Sequence, residues 1–154
     1  MMEKLRLKIP PPIVGIVFGV MIWALSEHLS IQFMDAESRK LIAMVLLGIA
    51  GTIDVWAIVS FKSAKTTIDP RYPHKTSAIV SSGIYQFTRN PMYLGLALIL
   101  TSLSIYLSTL LGLLCVIAFI LYMNRFQIEA EEEHLEQQFG EIYLNYKNSV
   151  RRWL

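Results

Sequence analysis

Residues 89–95 read RNPMYLG, and here a polar segment that carries cations turns directly into a long apolar one. Proline lacks an amide hydrogen and has its φ angle preset, so Pro91 suits the first position of a helix. The amides of residues 92–94 then have no intrahelical acceptor, and together with Arg89 they could receive an anion. Gly95, one turn into the helix, would let another backbone or a ligand come close. The segment predicts a membrane helix whose polar end is a binding site, with a simple interface anchor as the alternative.

The composition is that of a membrane protein. The chain has 154 residues, of which 54% are hydrophobic and 17% charged, whereas ordinary soluble domains are about 25% charged. Its mean hydropathy is +0.46. The single cysteine, Cys115, lies in an apolar run, which excludes an intramolecular disulfide and a cysteine-based metal site. We therefore predict one all-α integral membrane domain over residues 1–154, with no metal and no nucleic-acid partner. The oligomeric state stays open.

Apolar runs predict four transmembrane helices, at about 12–33, 41–61, 91–106 and 108–124. The second run has 21 residues, which at ~1.5 Å per residue are long enough to cross a ~30 Å hydrocarbon core. The 32 uncharged residues 92–123 are too long for one span and would give two spans of only ~24 Å each. They therefore favour a tight hairpin of two short helices. A secretory signal is the alternative for the first run, but the three prolines before it argue against that interpretation.

The polar segments indicate the orientation. The loop 62–90 is rich in lysine and arginine, and long loops of this kind tend to be functional. The positive-inside rule places this loop and both termini in the cytoplasm, which for a bacterial protein means the inner membrane. The C-terminal region 125–154 predicts a cytosolic amphipathic helix, with a break possible at Gly140. Its apolar face is expected to consist of Ile128, Leu135, Phe139, Ile142, Tyr146 and Val150.

Two acidic residues fall in or beside the apolar runs. Asp54 lies inside the second run, and an ionisable residue at that depth faces the bundle or a wet cavity rather than lipid. A hydrogen bond to a neighbouring helix is the first explanation for it, and a functional role is the second. Glu27, followed by His28, suits the far membrane interface, with a polar cavity as the alternative.

Several motifs in order resemble one enzyme family. RNPMYLG at 89–95 is followed, after a hydrophobic hairpin, by Glu131-Glu132 and then by FGExYxxYKxxV at 139–150. This arrangement resembles the isoprenylcysteine carboxyl methyltransferase family, which belongs to a wider group that includes phospholipid methyltransferases. TTxxP at 66–70 and SGIY at 82–85 also fit the small bacterial members. The resemblance covers roughly residues 62–154.

The resemblance implies a membrane-embedded methyltransferase that uses S-adenosylmethionine. It also implies that the loop 62–90 and the C-terminal helix bind this cofactor at the cytosolic end of the bundle. The cofactor contacts that it implies are Ser77, Ala78, Ile79, Val80, Tyr85, Asn90, Pro91, Met92, Tyr93, Gly95 and Glu131. Two positions depart from the family pattern. Asn90 stands where the eukaryotic enzymes usually carry histidine, and Gln127 stands where an arginine helps to hold an acceptor carboxylate. Arg125 is close enough in sequence to replace that arginine, so Arg125 and Gln127 are the candidate acceptor-binding residues.

The chemistry of the donor suggests a role for each group. Arg89 and the amides after Pro91 suit the donor's carboxylate, and Glu131 suits its ammonium group or a ribose hydroxyl. Tyr85 and Tyr93 can stack on adenine or face the sulfonium. Methyl transfer mainly requires alignment and exclusion of water.

The acceptor decides whether the reaction needs a base. A carboxylate or thiolate acceptor needs none, whereas an amine does. Glu132 is the candidate base, and with Arg89 it completes the predicted catalytic pair.

The predicted function is methyl transfer at the membrane to a lipid-like or hydrophobic acceptor. The acceptor stays open among a prenylcysteine carboxylate, a phospholipid amine and a small thiol. The alternatives are a non-catalytic four-helix protein that binds a lipid or a partner subunit, and a small transporter that uses Asp54 and Glu27.

Overall fold

The computed structural model describes residues 7–28, 31, 33–64 and 79–154, and this part of the chain is helical with no strand. The two cofactor candidates Ser77 and Ala78 lie in the part of the loop, residues 65–78, that is outside the described residues. In chain order the elements are α1 (Pro11–His28), α2 (Ala36–Ala64), a 3₁₀ turn (Gly83–Gln86), α3 (Pro91–Tyr106), α4 (Leu110–Met123), a π-turn (Asn124–Ile128), α5 (Glu129–Phe139) and α6 (Glu141–Ser149).

Three helical segments of the described chain are long and apolar enough to cross a membrane. They are Pro11–His28, Ala36–Ser63 and Leu110–Phe139, the last of which continues from α4 through the π-turn into α5. The apolar helix α3 is shorter, with 16 residues, and reaches ~24 Å. It is joined to α4 through residues 107–109, as the uncharged stretch predicts.

The ends of the first two helices differ from the predicted spans. Helix α1 ends at His28, five residues before the predicted end at 33. The apolar pattern is strong only as far as Leu25 and weakens after it. Helix α2 begins at Ala36, before its apolar run, because the carboxylate of Asp35 accepts a hydrogen bond from the backbone amide of Ser38 at 2.9 Å. Helix starts set by a polar cap are not visible in hydropathy alone.

The hairpin between α3 and α4 is tight. The Thr109 amide donates to the Ser104 carbonyl at 3.0 Å. Gly112 packs so closely against the preceding helix that a Cβ there would lie 2.6 Å from the hydroxyl oxygen of Ser104. The small side chains in this stretch therefore let the two helices approach.

Two apolar clusters hold the helices together. Helices α1, α3 and α4 share a core around Ile22, Leu100 and Phe119. A second cluster joins Ala57 of α2 to Tyr85 of the 3₁₀ turn. Large apolar side chains on the outer faces of α1, α2 and α4 are exposed, which suits a surface that meets lipid.

The C-terminal region forms two helices rather than one. Gly140 has φ +52° and separates α5 from α6, and positive φ is a conformation that favours glycine. The break changes the face that α6 presents, so the prediction that Ile142 lies on the buried face is wrong, and its side chain is 69% exposed. Tyr143, its neighbour, is buried instead.

Candidate active site

The start of α3 follows the predicted geometry in one respect and differs in another. Pro91 occupies the first turn as expected. The amides of Tyr93 and Leu94, however, both donate to the carbonyl of Asn90, at 3.2 and 3.0 Å. The expectation that three amides are free for an anion is therefore wrong, because the carbonyl of the residue before the helix is already an intrahelical acceptor. Of the three, only the Met92 amide keeps that role.

The segment before α3 is bonded to the last residues of the chain. The Arg89 amide donates to the Arg151 carbonyl at 3.0 Å. The carbonyl of Arg152 accepts from the Asn90 side-chain amide at 3.0 Å and from the Thr88 hydroxyl at 3.3 Å. The side-chain amide of Asn90, which the resemblance implied to be a cofactor contact, thus positions the C-terminal segment instead.

Arg89 and Glu132 lie at the centre of a buried ion-pair network. The Arg89 guanidinium contacts the Glu132 carboxylate at 2.9 Å, and their side chains are only 10% and 7% exposed. Arg152 donates to both Glu132 oxygens, at 3.1 and 2.7 Å, and Lys147 lies 3.8 Å away. Arg89 also donates to the Lys147 carbonyl. A substrate amine would have to displace an arginine to reach Glu132, so this position does not favour Glu132 as the base.

Glu131 faces a different partner. Its carboxylate accepts a hydrogen bond from the hydroxyl of buried Tyr93 at 2.5 Å. Consecutive helical residues point about 100° apart, which explains why Glu131 contacts α3 while Glu132 contacts Arg89. The structure therefore brings the start of α3 and the acidic pair of α5 together at one end of the bundle.

Tyr85 forms one wall of this region. Its ring packs edge-on against Phe61 of α2, with centroids 5.3 Å apart, and its carbonyl accepts from the Tyr146 hydroxyl at 2.8 Å. Burial raises the pKa of the Tyr85 phenol, and the nearby Tyr146, Glu131 and Asp54 raise it further.

The carboxylate of Asp54 leaves no room for a side chain at Gly95. A Cβ on residue 95 would lie 2.7 Å from Asp54 Cγ and closer still to Oδ1. The expected hydrogen bond from Asp54 to a neighbouring helix does not form at Oδ1, which is buried and has no hydrogen-bond partner among the described residues. The close approach that the sequence predicts at Gly95 is therefore made by a carboxylate of α2.

The remaining candidates are distributed around this region. Val80 is buried beside Tyr85, and half-buried Met92 packs against the same cluster, while Ile79 directly precedes Val80. Arg125 is 63% exposed and pairs with Glu129 at 2.7 Å. Buried Gln127, 1% exposed, donates to the backbone carbonyl of Ile9. Within the described residues, the bonds of Arg125 and Gln127 lead to Glu129 and Ile9 and not to the residues around Tyr93.

Sequence reasoning missed three residues that shape the site. Arg152 and Lys147 surround Glu132, and the Trp153 indole donates to the Asn124 side chain at 3.0 Å. The available signal was the pair of arginines near the end of the chain, because a carboxylate that becomes buried requires cationic partners.

Comparisons with known proteins agree with the resemblance. A family model described as phospholipid methyltransferase matches residues 38–142. An uncharacterized protein of Haemophilus influenzae is 52% identical over 63 residues, which are 41% of this chain and the whole length of that relative. No solved structure matches the chain significantly.

Proposed function

Because the chain belongs to the phospholipid methyltransferase family, we propose that it transfers a methyl group from S-adenosylmethionine to a lipid-like or hydrophobic acceptor at the membrane. The observation that carries the proposal is the contact between Tyr93 at the start of α3 and Glu131 of α5. It unites two segments that lie 38 residues apart and offers a carboxylate beside buried aromatic rings.

The residues present fit the donor. Glu131 would accept hydrogen bonds from its ammonium group or a ribose hydroxyl, and the rings of Tyr85 and Tyr93 would face its adenine or sulfonium. Arg89 keeps a buried Nε with no partner among the described residues, which together with the Met92 amide suits a carboxylate. Ser77, Ala78, Ile79, Val80, Asn90, Pro91 and Gly95 complete the proposed cofactor contacts.

Methyl transfer does not require a covalent bond between the protein and the substrate. S-adenosylmethionine supplies a methyl group that is already activated on a sulfonium. The chain's residues would hold donor and acceptor in line and exclude water. The Arg89–Glu132 pair contributes by fixing the start of α3, and with it Tyr93, against α5 and the C-terminal segment. In this proposal Glu132 positions the groups that contact the donor, whereas Arg89 both pairs with Glu132 and offers its Nε to the donor's carboxylate.

The acceptor would enter from the bilayer while the donor enters from the cytosol. Exposed apolar faces on α1, α2 and α4 would allow a lipid chain to remain in the membrane while its reactive group reaches the start of α3. A prenylcysteine carboxylate, a phospholipid amine and a small thiol all remain candidates. The carboxylate is the least supported, because the proposed acceptor residues Arg125 and Gln127 are bonded to Glu129 and to Ile9.

The proposed topology has four spans in one domain of residues 1–154. Helices α3 and α4 would form the short third and fourth spans, and α5 and α6 would follow them on the cytoplasmic side. By the positive-inside rule, the basic loop 62–90 favours a cytoplasmic location for this end of the bundle and for both termini, and we propose the inner membrane of a bacterium. Cysteine labelling from either side of the membrane, at single cysteines introduced into the termini, tests the orientation.

Binding of S-adenosylhomocysteine to the purified protein tests the function. We expect calorimetry to detect binding and the Glu131→Gln variant to weaken it about tenfold, since a hydrogen bond to a charged group is worth about 1.5–3 kcal/mol. The exposed Glu141→Gln is the matched control. A second assay follows labelled methyl groups into membrane lipids and small thiols. Absence of both binding and transfer would instead favour a non-catalytic membrane protein.

A further inference from the structure

Asp54 is a half-buried carboxylate of α2 with one oxygen that finds no hydrogen-bond partner in the described part of the chain. It lies ten residues before the end of α2 at Ala64, about 15 Å along the helix axis, within an otherwise apolar run. Its Oδ1 is buried and accepts no hydrogen bond from the described residues. An unpaired charge at such a depth is costly, so a residue of this kind normally has a function with a cationic partner.

The position of Asp54 connects it to the proposed site. Its carboxylate packs against Gly95 of α3, two residues beyond Tyr93. On the same helix, its neighbours Ile53 and Ala57 belong to the cluster that contains Tyr85 and Met92.

The order of the contacts along α3 separates the two carboxylates by depth. Long helical side chains point back toward the helix N-terminus, so the Tyr93 hydroxyl and its partner Glu131 lie near the start of α3. Asp54 packs against Gly95, which is ~3 Å further along the axis than Tyr93. Glu131 is therefore nearer the polar end, where the donor would bind, and Asp54 is nearer the bilayer, from which a lipid acceptor would come.

We propose that Asp54 is the residue that binds the amine of a lipid acceptor and takes its proton during methyl transfer. The inference rests on the proposed methyltransferase function. The protonated amine gives one proton to the Asp54 carboxylate. The nitrogen lone pair then forms the N–C bond while the C–S bond of the donor breaks and its electron pair stays on sulfur. Glu132 cannot easily do this, because arginines occupy both of its oxygens.

The experiment compares the wild type with Asp54→Asn, Asp54→Glu and the control Glu37→Gln, an exposed carboxylate of the same helix. The proteins are placed in vesicles of phosphatidylethanolamine and phosphatidylglycerol, or of phosphatidylglycerol alone. Labelled methyl transfer into lipid, affinity for S-adenosylhomocysteine and the thermal unfolding midpoint are measured for each. Phosphatidylglycerol has no amine and serves as the acceptor control.

We expect Asp54→Asn to lower transfer into phosphatidylethanolamine by about a hundredfold or more, which is the typical effect of losing a general base. Its affinity for S-adenosylhomocysteine should stay within about threefold of the wild type. Its unfolding midpoint should be unchanged or higher, because the substitution removes the charge from a half-buried side chain that has an unpaired oxygen. Asp54→Glu should keep more activity than Asp54→Asn. Glu37→Gln should behave as the wild type.

Four results would overturn the inference. Asp54→Asn could transfer methyl groups at the wild-type rate, or it could lose affinity for S-adenosylhomocysteine, which would make Asp54 a donor-binding residue. A wild-type protein that methylates only an acceptor without an amine would reject the inference but keep the proposed function. A wild-type protein that neither binds S-adenosylhomocysteine nor transfers methyl groups would reject both.

Discussion

Replacement of Glu132 by glutamine tests the buried ion-pair network, which we interpret as the support of the whole site. The variant keeps the side-chain shape but leaves Arg89, 10% exposed, without its counter-charge. Breaking a buried ion pair by removing one partner costs about 3–5 kcal/mol. Arg152 is one-third exposed and can turn toward water, so we expect the lower limit, about 3 kcal/mol.

The matched control is Glu129→Gln on the same helix. Glu129 pairs with Arg125, whose side chain is 63% exposed, and pairs of this kind four residues apart on a helix are worth about 0.3–0.5 kcal/mol. For a chain of this size, each kcal/mol shifts the unfolding midpoint by about 2–4 °C. We therefore expect Glu132→Gln to unfold about 6–12 °C below the wild type, and Glu129→Gln about 1–2 °C below it.

The assay is thermal unfolding in detergent, followed by the helical circular dichroism signal, together with affinity for S-adenosylhomocysteine. Affinity should fall in Glu132→Gln but not in Glu129→Gln, because only the first variant loosens the start of α3. If the two variants unfold within about 2 °C of each other, the network does not support the fold and the reasoning is refuted.

Three further substitutions probe single contacts. Tyr93→Phe removes the hydroxyl that donates to Glu131, and we expect a loss of about 1–3 kcal/mol in unfolding free energy or donor affinity; wild-type values of both would contradict the contact. Gly95→Ala places a methyl group against Asp54 and should cost about 1–3 kcal/mol through overpacking, measured by denaturation and compared with the harmless exposed Gly51→Ala. Gln127→Leu leaves the Ile9 carbonyl before α1 without a hydrogen bond, which should cost about 1–3 kcal/mol of unfolding free energy. The affinity for S-adenosylhomocysteine should not change. A lower affinity with unchanged stability would instead favour a role of Gln127 in substrate binding.

The sequence predicted the features that depend on local pattern. Long apolar runs, the proline at the start of α3 and the uncharged stretch that forms the hairpin are all readable from neighbouring residues. The end of α1 was placed too late, because its apolar pattern weakens gradually. The start of α2 was also placed too late, because the polar cap at Asp35 lies outside the apolar run. The prediction that Ile142 lies on the buried face was wrong, because the direction of this side chain depends on the backbone turn at Gly140 rather than on the helical period.

The site was predictable in its parts but not in its pairings. Glu131 and Glu132 are adjacent in sequence, and their different partners depend on the rotation of α5 about its axis, which only tertiary contacts fix. Asn90 looked like a ligand contact and is bonded to the Arg152 carbonyl. Gln127, which stands where the family pattern has an arginine, was a candidate acceptor contact, yet its partner is the Ile9 carbonyl 118 residues earlier. Such pairings across the chain leave no local signal.

The π-turn at Asn124–Ile128 has a consequence for changes in chain length. A π-turn at Asn124–Ile128 accommodates one residue more than an α-helical turn, so we expect deletion of one residue from it to restore α-helical geometry and to leave α5 in its present register. Glu131 would keep Tyr93 as its partner, and Glu132 would keep Arg89. Deletion of a second residue would move each residue of α5 into the place of its predecessor, so that Glu132 would face Tyr93 and Glu133 would face Arg89. The π-turn and the three successive glutamates together therefore keep a carboxylate at both positions through a two-residue deletion.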